Sequence, residues 1–138
     1  MSRSPAEPPQ IAIDVSALVE LLLQTTLGGQ IAGLIGGSQL IAPDIVNPEV
    51  IQSLRGLERG GKLSPARAAK AVERLAESPV RRVPTTGLIA DAWVLRVNLS
   101  AYDACYVALA RALDCPLLST DAPLRRAPLR GVRFLDIG

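Results

Sequence analysis

Four acidic residues stand where their carboxylates could act together on one ligand. Asp14 ends a short apolar run, Glu49 begins a helical segment soon after a second run, and Asp121 follows a third. Parallel strands gather bound ligands at the edge formed by their carboxyl ends, so we expect these three acids to meet there. Asp103, in the first turn of a later predicted helix, would be the fourth.

The chemistry that suits such a cluster is metal-dependent hydrolysis. Carboxylates that lie close together raise one another's pKa unless a cation offsets their charge, so four of them in a largely apolar chain imply a bound metal. All-oxygen ligands favour Mg²⁺ or Mn²⁺. Either ion can activate a water for cleavage of a phosphodiester bond. The four acids are therefore candidate catalytic and metal-binding residues.

Each acid also occupies a position where it could serve only the local backbone. Those roles are helix capping for Asp14 and Asp103, interaction with the helix dipole for Glu49, and formation of a turn for Asp121. For an acidic residue considered alone, such a structural role is commoner than a catalytic one. The predicted meeting of all four at one sheet edge is what favours shared chemistry.

The elements that must position these acids alternate between short strands and helices. Apolar runs predict five strands, at residues 11–13, 39–42, 80–83, 116–119 and 132–135. Apolar spacing and capping residues predict helices from Ser16 and over 31–35, 47–60, 65–77, 88–97 and 101–113, with Gly28-Gly29 and Gly36-Gly37 as breaks. The pattern predicts an α/β fold, a three-layer sandwich with a mainly parallel sheet of about five strands flanked by helices.

The composition excludes several kinds of active site. The chain has no histidine, which rules out a Ser-His-Asp triad, a histidine general base and every zinc site that contains histidine. Cys105 and Cys115 are ten residues apart, so they form neither a CxxC pair nor a four-cysteine zinc site. We interpret them as buried, reduced thiols of a cytoplasmic protein.

The charges are nearly balanced, with 15 basic and 13 acidic residues. A net charge of +2 does not by itself indicate a polyanionic partner. Arginines do, however, crowd the end of the chain at positions 125, 126, 130 and 133. They could contact phosphate or simply be solvated, and the sequence leaves both possibilities open.

Residues 1–10 contain three prolines and no apolar run. They predict a disordered lead-in that is not a signal peptide, followed by a single domain over 11–138. No charge occurs between Glu20 and Asp44, but five glycines interrupt that stretch. We therefore expect no membrane span and a cytoplasmic location.

Four segments resemble, in order, the motifs of VapC-type PIN-domain toxins. They are DVSAL from Asp14, the residues from Ala42-Pro43 to Glu49-Val50, NLSAYDACYVALA from Asn98, and PLLSTDAPL from Pro116. The likeness spans residues 11–137 and is most specific in YDAxYVALA followed by PLLxxD.

This resemblance implies a Mg²⁺- or Mn²⁺-dependent endoribonuclease that forms a homodimer and is neutralised by a cognate antitoxin. The family's metal-site acids match Asp14, Glu49, Asp103 and Asp121. Its supporting positions match Ser16 and Ser119, hydroxyls beside the metal, and Asn98 and Ser100, which would support the loop before Asp103.

Two departures from the family pattern concern the last motif. Many members carry a further acid just after the final one, whereas Ala122 follows Asp121 here, which weakens the case for a second metal site. Ser119 stands where threonine is usual, and this change keeps the hydroxyl.

The partner surface has two interpretations. The helices from Asn47 to Glu77 could form an apolar groove for an antitoxin helix, or their apolar residues could merely pack on each other. The residues in question are Leu54, Leu57, Val72 and Leu75.

Other functions fit less well or remain open. A haloacid-type phosphatase needs an aspartate at the position of Ser16, and a receiver domain needs a lysine near the end, whereas Lys62 and Lys70 are the only lysines. A PIN nuclease of RNA processing or decay without an antitoxin, and a catalytically silent PIN-fold interaction protein, remain the alternatives.

Overall fold

A four-stranded parallel sheet forms the centre of the fold. The computed structural model describes residues 7–138. The strands are β1 (Gln10–Ile13), β2 (Gln39–Pro43), β3 (Arg81–Val83) and β4 (Leu117–Leu118), in the order β3-β2-β1-β4. β1 pairs with β2 on one side and β4 on the other. These two partners explain why β1 is almost wholly apolar and buried.

Seven α-helices surround the sheet in the described part of the chain. They are α1 (Val15–Leu23), α2 (Thr26–Ile35), α3 (Val46–Arg59), α4 (Pro65–Glu77), α5 (Ile89–Val94), α6 (Ala101–Leu113) and α7 (Ala122–Arg126). α6 packs on β1, β2 and β4, with α5 against it, whereas α1 packs on α2, α3 and α4. The predicted α/β architecture with a mainly parallel sheet flanked by helices is confirmed.

In the hairpin of α3 and α4, helix α4 begins directly after Ser64, as the sequence predicts. The Ser64 Oγ accepts a hydrogen bond from the backbone N–H of Arg67 (3.2 Å), and Pro65 occupies the first turn. Asn47, predicted to cap α3, lies inside the helix instead. Its side-chain oxygen accepts a hydrogen bond from Arg82 Nε (3.1 Å), which links α3 to β3.

The prediction of a fifth strand at 132–135 was wrong. This segment makes only an isolated parallel bridge between Leu117 and Phe134. The Leu117 N–H donates to Arg133 O (2.8 Å), and the Leu135 N–H donates to Leu117 O (2.9 Å). The segment therefore meets β4, which is two residues long, at one residue only.

Gly28-Gly29, predicted to break a helix, lies within the first turn of α2. Thr25 caps that helix, because its Oγ1 accepts from the Gly28 N–H (2.9 Å). A Cβ on Gly28 would lie 2.1 Å from Glu20 O in α1. The glycine therefore lets two consecutive helices approach closely rather than ending one.

Two further boundaries differ from the predictions. The helix expected over 88–97 is divided into α5 and flanking 3₁₀ turns at Thr85–Leu88 and Leu95–Val97. The turn expected after Asp121 is the short helix α7. Most of the predicted lead-in, residues 1–6, lies outside the described residues, and β1 begins at Gln10.

The described helices include none that is long and apolar enough to cross a membrane alone. α1 and α2 together meet the requirement for length and composition, but they are bent by 108° at the break between them.

Candidate metal centre

Asp14 lies where β1 ends and α1 begins, and it is only 3% exposed. Its backbone N–H donates to Leu118 O (3.0 Å), which ties it to β4. Its Oδ1 accepts from the Ala17 N–H (3.1 Å) and from the Ser16 hydroxyl (2.6 Å). The carboxylate therefore caps α1 and is held at the carboxyl edge of the sheet.

Ser119 and Asp121 occupy the adjacent turn between β4 and α7. Ser119 is fully buried, and its Oγ accepts from the Asp121 N–H (3.0 Å). The Ser16 Oγ accepts from the Thr120 N–H (2.9 Å) and lies 3.4 Å from the Ser119 Oγ. The Asp121 Oδ1 accepts from the Leu124 N–H (3.0 Å) and caps α7. Two strand ends are thus joined by side-chain hydroxyls.

Glu49 and Asp103 reach the same edge from helices. Glu49 is in the first turn of α3, and its Oε1 accepts from the Tyr106 hydroxyl (2.7 Å). Asp103 is in the first turn of α6, where its backbone N–H donates to the Ser100 Oγ (3.2 Å). The Ser100 side chain is also the hydrogen-bond partner of the Asp103 carboxylate, so the residue that caps α6 restrains it.

The four carboxylates form one electrostatic group. Burial raises the pKa of Asp14, the hydroxyls of Ser119 and Ser16 and the Ala17 N–H lower it, and Asp121 raises it further. Burial also raises the pKa of Glu49, which the Tyr106 hydrogen bond lowers and the charges of Asp103 and Asp14 raise.

The pKa of Asp103 follows the same pattern. Burial raises it first, the charges of Asp121 and Asp14 raise it further, and the hydrogen bond with Ser100 lowers it. Asp14, Glu49 and Asp103 are therefore each repelled by at least one other site acid, and this repulsion is the property that a cation would relieve.

The predicted acids share a neighbourhood without converging on one point. Among residues 7–138 no group of three acidic, cysteine or histidine side chains is close enough to surround a single ion. This spacing still fits Mg²⁺, which commonly takes one or two protein carboxylates and completes its shell with water and substrate phosphate. The donor set, oxygen only and net negative, suits that ion or Mn²⁺.

The predicted supporting residues differ in how they lie relative to the acids. Ser16 and Ser119 lie beside Asp14, and Ser100 caps α6. Asn98 is exposed, and in the described part of the chain its side chain has no hydrogen-bond partner. The geometry therefore gives Asn98 no visible part in holding the loop before Asp103.

Sequence reasoning did not assign a role to Tyr106. The signal was its position three residues after Asp103, which places both side chains on one face of α6. Only the tertiary structure shows that this face meets Glu49, because α3 and α6 are distant in the sequence.

Two surface features flank the acids. A groove of about 640 Å³ opens beside Glu49 and is lined by Val15, Ile45, Pro48, Glu49, Gln52, Ser53 and Tyr102.

Of the C-terminal arginines, Arg125 donates to Ser119 O and Leu135 O and lies over the Phe134 ring, whereas Arg126 and Arg130 are exposed. Arg125 therefore holds the chain after α7 against the site.

Comparison with known proteins gives a consistent result. Residues 11–129 match the family model described as PIN domain. Ribonuclease VapC9 of Mycobacterium tuberculosis is 40% identical over 114 residues, which cover 83% of this chain and 87% of that protein. Ribonuclease VapC3 of the same species is 36% identical over 129 residues, covering 92% and 94%.

Solved structures show the same fold at low sequence identity. VapC20 of Mycobacterium tuberculosis, described as a sarcin-ricin loop cleaving toxin, has a TM-score of 0.63 and 19% identity, covering 89% of this chain and 98% of that chain. VapBC2 of Rickettsia felis, bound to a promoter DNA fragment, has a TM-score of 0.65 and 10% identity, covering 91% and 97%.

Proposed function

The chain belongs to the PIN-domain family, among the VapC ribonucleases, and from this premise we propose that it is the metal-dependent endoribonuclease of a toxin–antitoxin pair. The observation that carries the proposal is the group of four acids at the carboxyl edge of the sheet, each of which interacts with another. A protein that only binds a partner gains nothing from this repulsion.

Asp14, Glu49, Asp103 and Asp121 would hold Mg²⁺ or Mn²⁺, with one or two of them as direct ligands and the others acting through bound water. When bound, such an ion would acidify a water for attack on the phosphorus and would stabilise charge on the phosphoryl oxygens. Ser16 and the Ala17 N–H orient the Asp14 Oδ1. The Asp103 carboxylate, whose hydrogen-bond partner among the described residues is Ser100, would contribute its charge to the site. The groove beside Glu49 would receive the RNA strand, and a toxin of this kind would act in the cytoplasm.

The decisive experiment compares cleavage of total RNA by the wild type and by Asp103→Asn, with Mg²⁺ or Mn²⁺ and with EDTA. We expect wild-type cleavage that EDTA abolishes and that the variant lacks, and the cut sites would then name the target. A wild type that is inert with every metal would favour the silent interaction protein. Cleavage that no antitoxin controls would favour an RNA-processing nuclease.

The outer face of the α3–α4 hairpin supports an antitoxin site. Leu54 and Leu75 are buried, but Ile51 and Val72 remain 49% and 40% exposed. They line a cavity of about 490 Å³ between the two helices. An apolar helix could occupy this groove. A genuine antitoxin should inhibit wild-type cleavage and fail to inhibit Ile51→Asp; equal inhibition of both would place its site elsewhere.

A second apolar surface supports the homodimer. Around α5, five large side chains are 61–78% exposed: Ile89, Trp93, Val94, Val97 and Tyr102. Ile89, Trp93 and Tyr102 line one groove. Exposed apolar surface of this kind marks protein–protein contacts, and we assign it to a second copy of the chain. Light scattering should give a dimer for the wild type and a monomer for Val97→Asp. A monomeric wild type, or a dimeric variant, would contradict the assignment.

A further inference from the structure

Tyr106 makes a side-chain contact that the mechanism above leaves unused. It lies in α6, is 1% exposed, and is the largest of the fully buried side chains. Its hydroxyl donates to the Glu49 Oε1 at 2.7 Å, joining α6 to α3. A residue this deeply buried cannot touch RNA directly, so any effect on the reaction must pass through Glu49.

The hydroxyl of Tyr106 is not explained by packing. A phenylalanine would fill the same volume, and a buried hydroxyl is normally retained only where it has a hydrogen-bond partner. Glu49 is its partner among the described residues. The chain's other tyrosine, Tyr102, lies one turn earlier in α6, is 61% exposed, and makes no hydrogen bond within the described structure.

Glu49 needs an external restraint to keep one conformation. Its carboxylate ends a long, flexible side chain and is repelled by Asp103 and Asp14. It does not cap α3, which begins without any side-chain cap. A tyrosine hydroxyl stays protonated at neutral pH, because its ordinary pKa is about 10. The Tyr106 hydroxyl can therefore always donate a hydrogen bond. It bonds to one oxygen of the Glu49 carboxylate and leaves the lone pairs of the other oxygen available.

We propose that Tyr106 is a positioning residue, whose hydroxyl holds the Glu49 carboxylate beside Asp103 so that Glu49 can ligate the divalent ion. The proposal rests on the metal-dependent function proposed above. Partners of this kind, which orient a ligand without touching the ion, commonly change metal affinity by about 10- to 100-fold when they are removed.

The test is the affinity of the full-length protein for Mn²⁺, measured by calorimetry without RNA, for the wild type and Tyr106→Phe. We expect the Kd of Tyr106→Phe to rise about 10-fold above the wild-type value. The Mn²⁺ concentration for half-maximal RNA cleavage by Tyr106→Phe should rise by a similar factor, with KM for RNA unchanged at saturating Mn²⁺. Circular dichroism and Tm establish that each variant is folded.

A double variant separates positioning from a general loss of structure. If Tyr106 acts through Glu49, Tyr106→Phe should have no further effect on Mn²⁺ affinity in a Glu49→Gln background. Full additivity of the two changes, or wild-type affinity in Tyr106→Phe, would overturn the role of Tyr106 while leaving the nuclease intact. Absence of Mn²⁺ binding by the wild type would overturn both this role and the proposed metal dependence.

Discussion

The two halves of the acidic site are built differently. The sheet-end half consists of Asp14, Ser16, Ser119 and Asp121, and its polar atoms are joined to one another and to backbone N–H groups. The helical half consists of Glu49, Asp103 and Tyr106, and its side-chain hydrogen bonds are the one from Tyr106 to Glu49 and the one between Ser100 and Asp103. Asp14 is buried, whereas Glu49 and Asp103 are half-buried.

This difference separates structural from chemical roles. Asp14 and Asp121 cap helices as well as carrying charge, so they support the fold whether or not an ion is bound. Glu49 and Asp103 accept no backbone hydrogen bond from the described residues, so their charge is their main contribution. In the sheet-end half an acidic residue therefore both caps a helix and carries charge, whereas in the helical half it mainly carries charge.

The largest expected effect is a loss of RNA cleavage. The comparison of the two halves also predicts which variant loses stability together with activity. Asp14→Ala and Asp103→Ala should each lower RNA cleavage by on the order of 100-fold or more, the scale of losing one charge-stabilising group in an enzyme. Only Asp14→Ala should also lower the free energy of unfolding, by about 1 kcal/mol, because it removes a helix cap. Urea denaturation with EDTA measures this difference.

Asp14→Asn is the matched control, because an amide oxygen can still accept the capping bonds. It should lose cleavage and keep a free energy of unfolding close to that of the wild type. Equal destabilisation by Asp14→Ala and Asp103→Ala would show that the two halves do not differ in structural role.

The next effect, on stability, is expected at Ser16, which joins the two strand ends. Ser16→Ala leaves the Thr120 N–H and the Asp14 Oδ1 each without one partner. The free energy of unfolding should fall by about 1–3 kcal/mol, the usual effect of leaving a buried polar group unpaired. Ser53→Ala in α3 is the control, since the Ser53 hydroxyl has no hydrogen bond to the described residues. Similar losses at both positions would contradict the special role of the Ser16 hydroxyl.

The smallest effect is a pH dependence of stability in the metal-free protein. The pKa values of Asp14, Glu49 and Asp103 are raised above their ordinary values of 3.8, 4.5 and 3.8 by burial and mutual repulsion. The folded state then binds more protons than the unfolded state between the ordinary and the raised pKa values. These groups therefore contribute stability at low pH that is lost as the pH rises through the raised values.

Urea midpoints in EDTA should consequently fall as the pH rises above the ordinary pKa values of these carboxyl groups. Asp103→Asn should flatten the dependence, because it removes one of the titrating groups and relieves its neighbours. A wild type and a variant with identical slopes would show that repulsion within the cluster does not affect the fold.

Local sequence signals predicted most of the fold. The caps at Asp14, Ser64 and Ser100 lie directly before the helices that they start, and apolar runs located four strands. The errors lay where distant contacts decide. Gly28 serves the contact between α1 and α2, and the segment 132–135 meets β4 at a single bridge instead of forming a strand.

The sequence by itself determined which acids are present, which strand or helix carries each, and the order of motifs that resembles the VapC family. Tertiary structure alone decided that the Ser16 hydroxyl meets the turn after β4, that Tyr106 meets Glu49, and that Asp14 is buried while Asp103 is not. The physical reason is that capping and periodicity depend on residues a few positions apart. Hydrogen bonds between turns, burial and repulsion between charges depend on segments that only folding brings together.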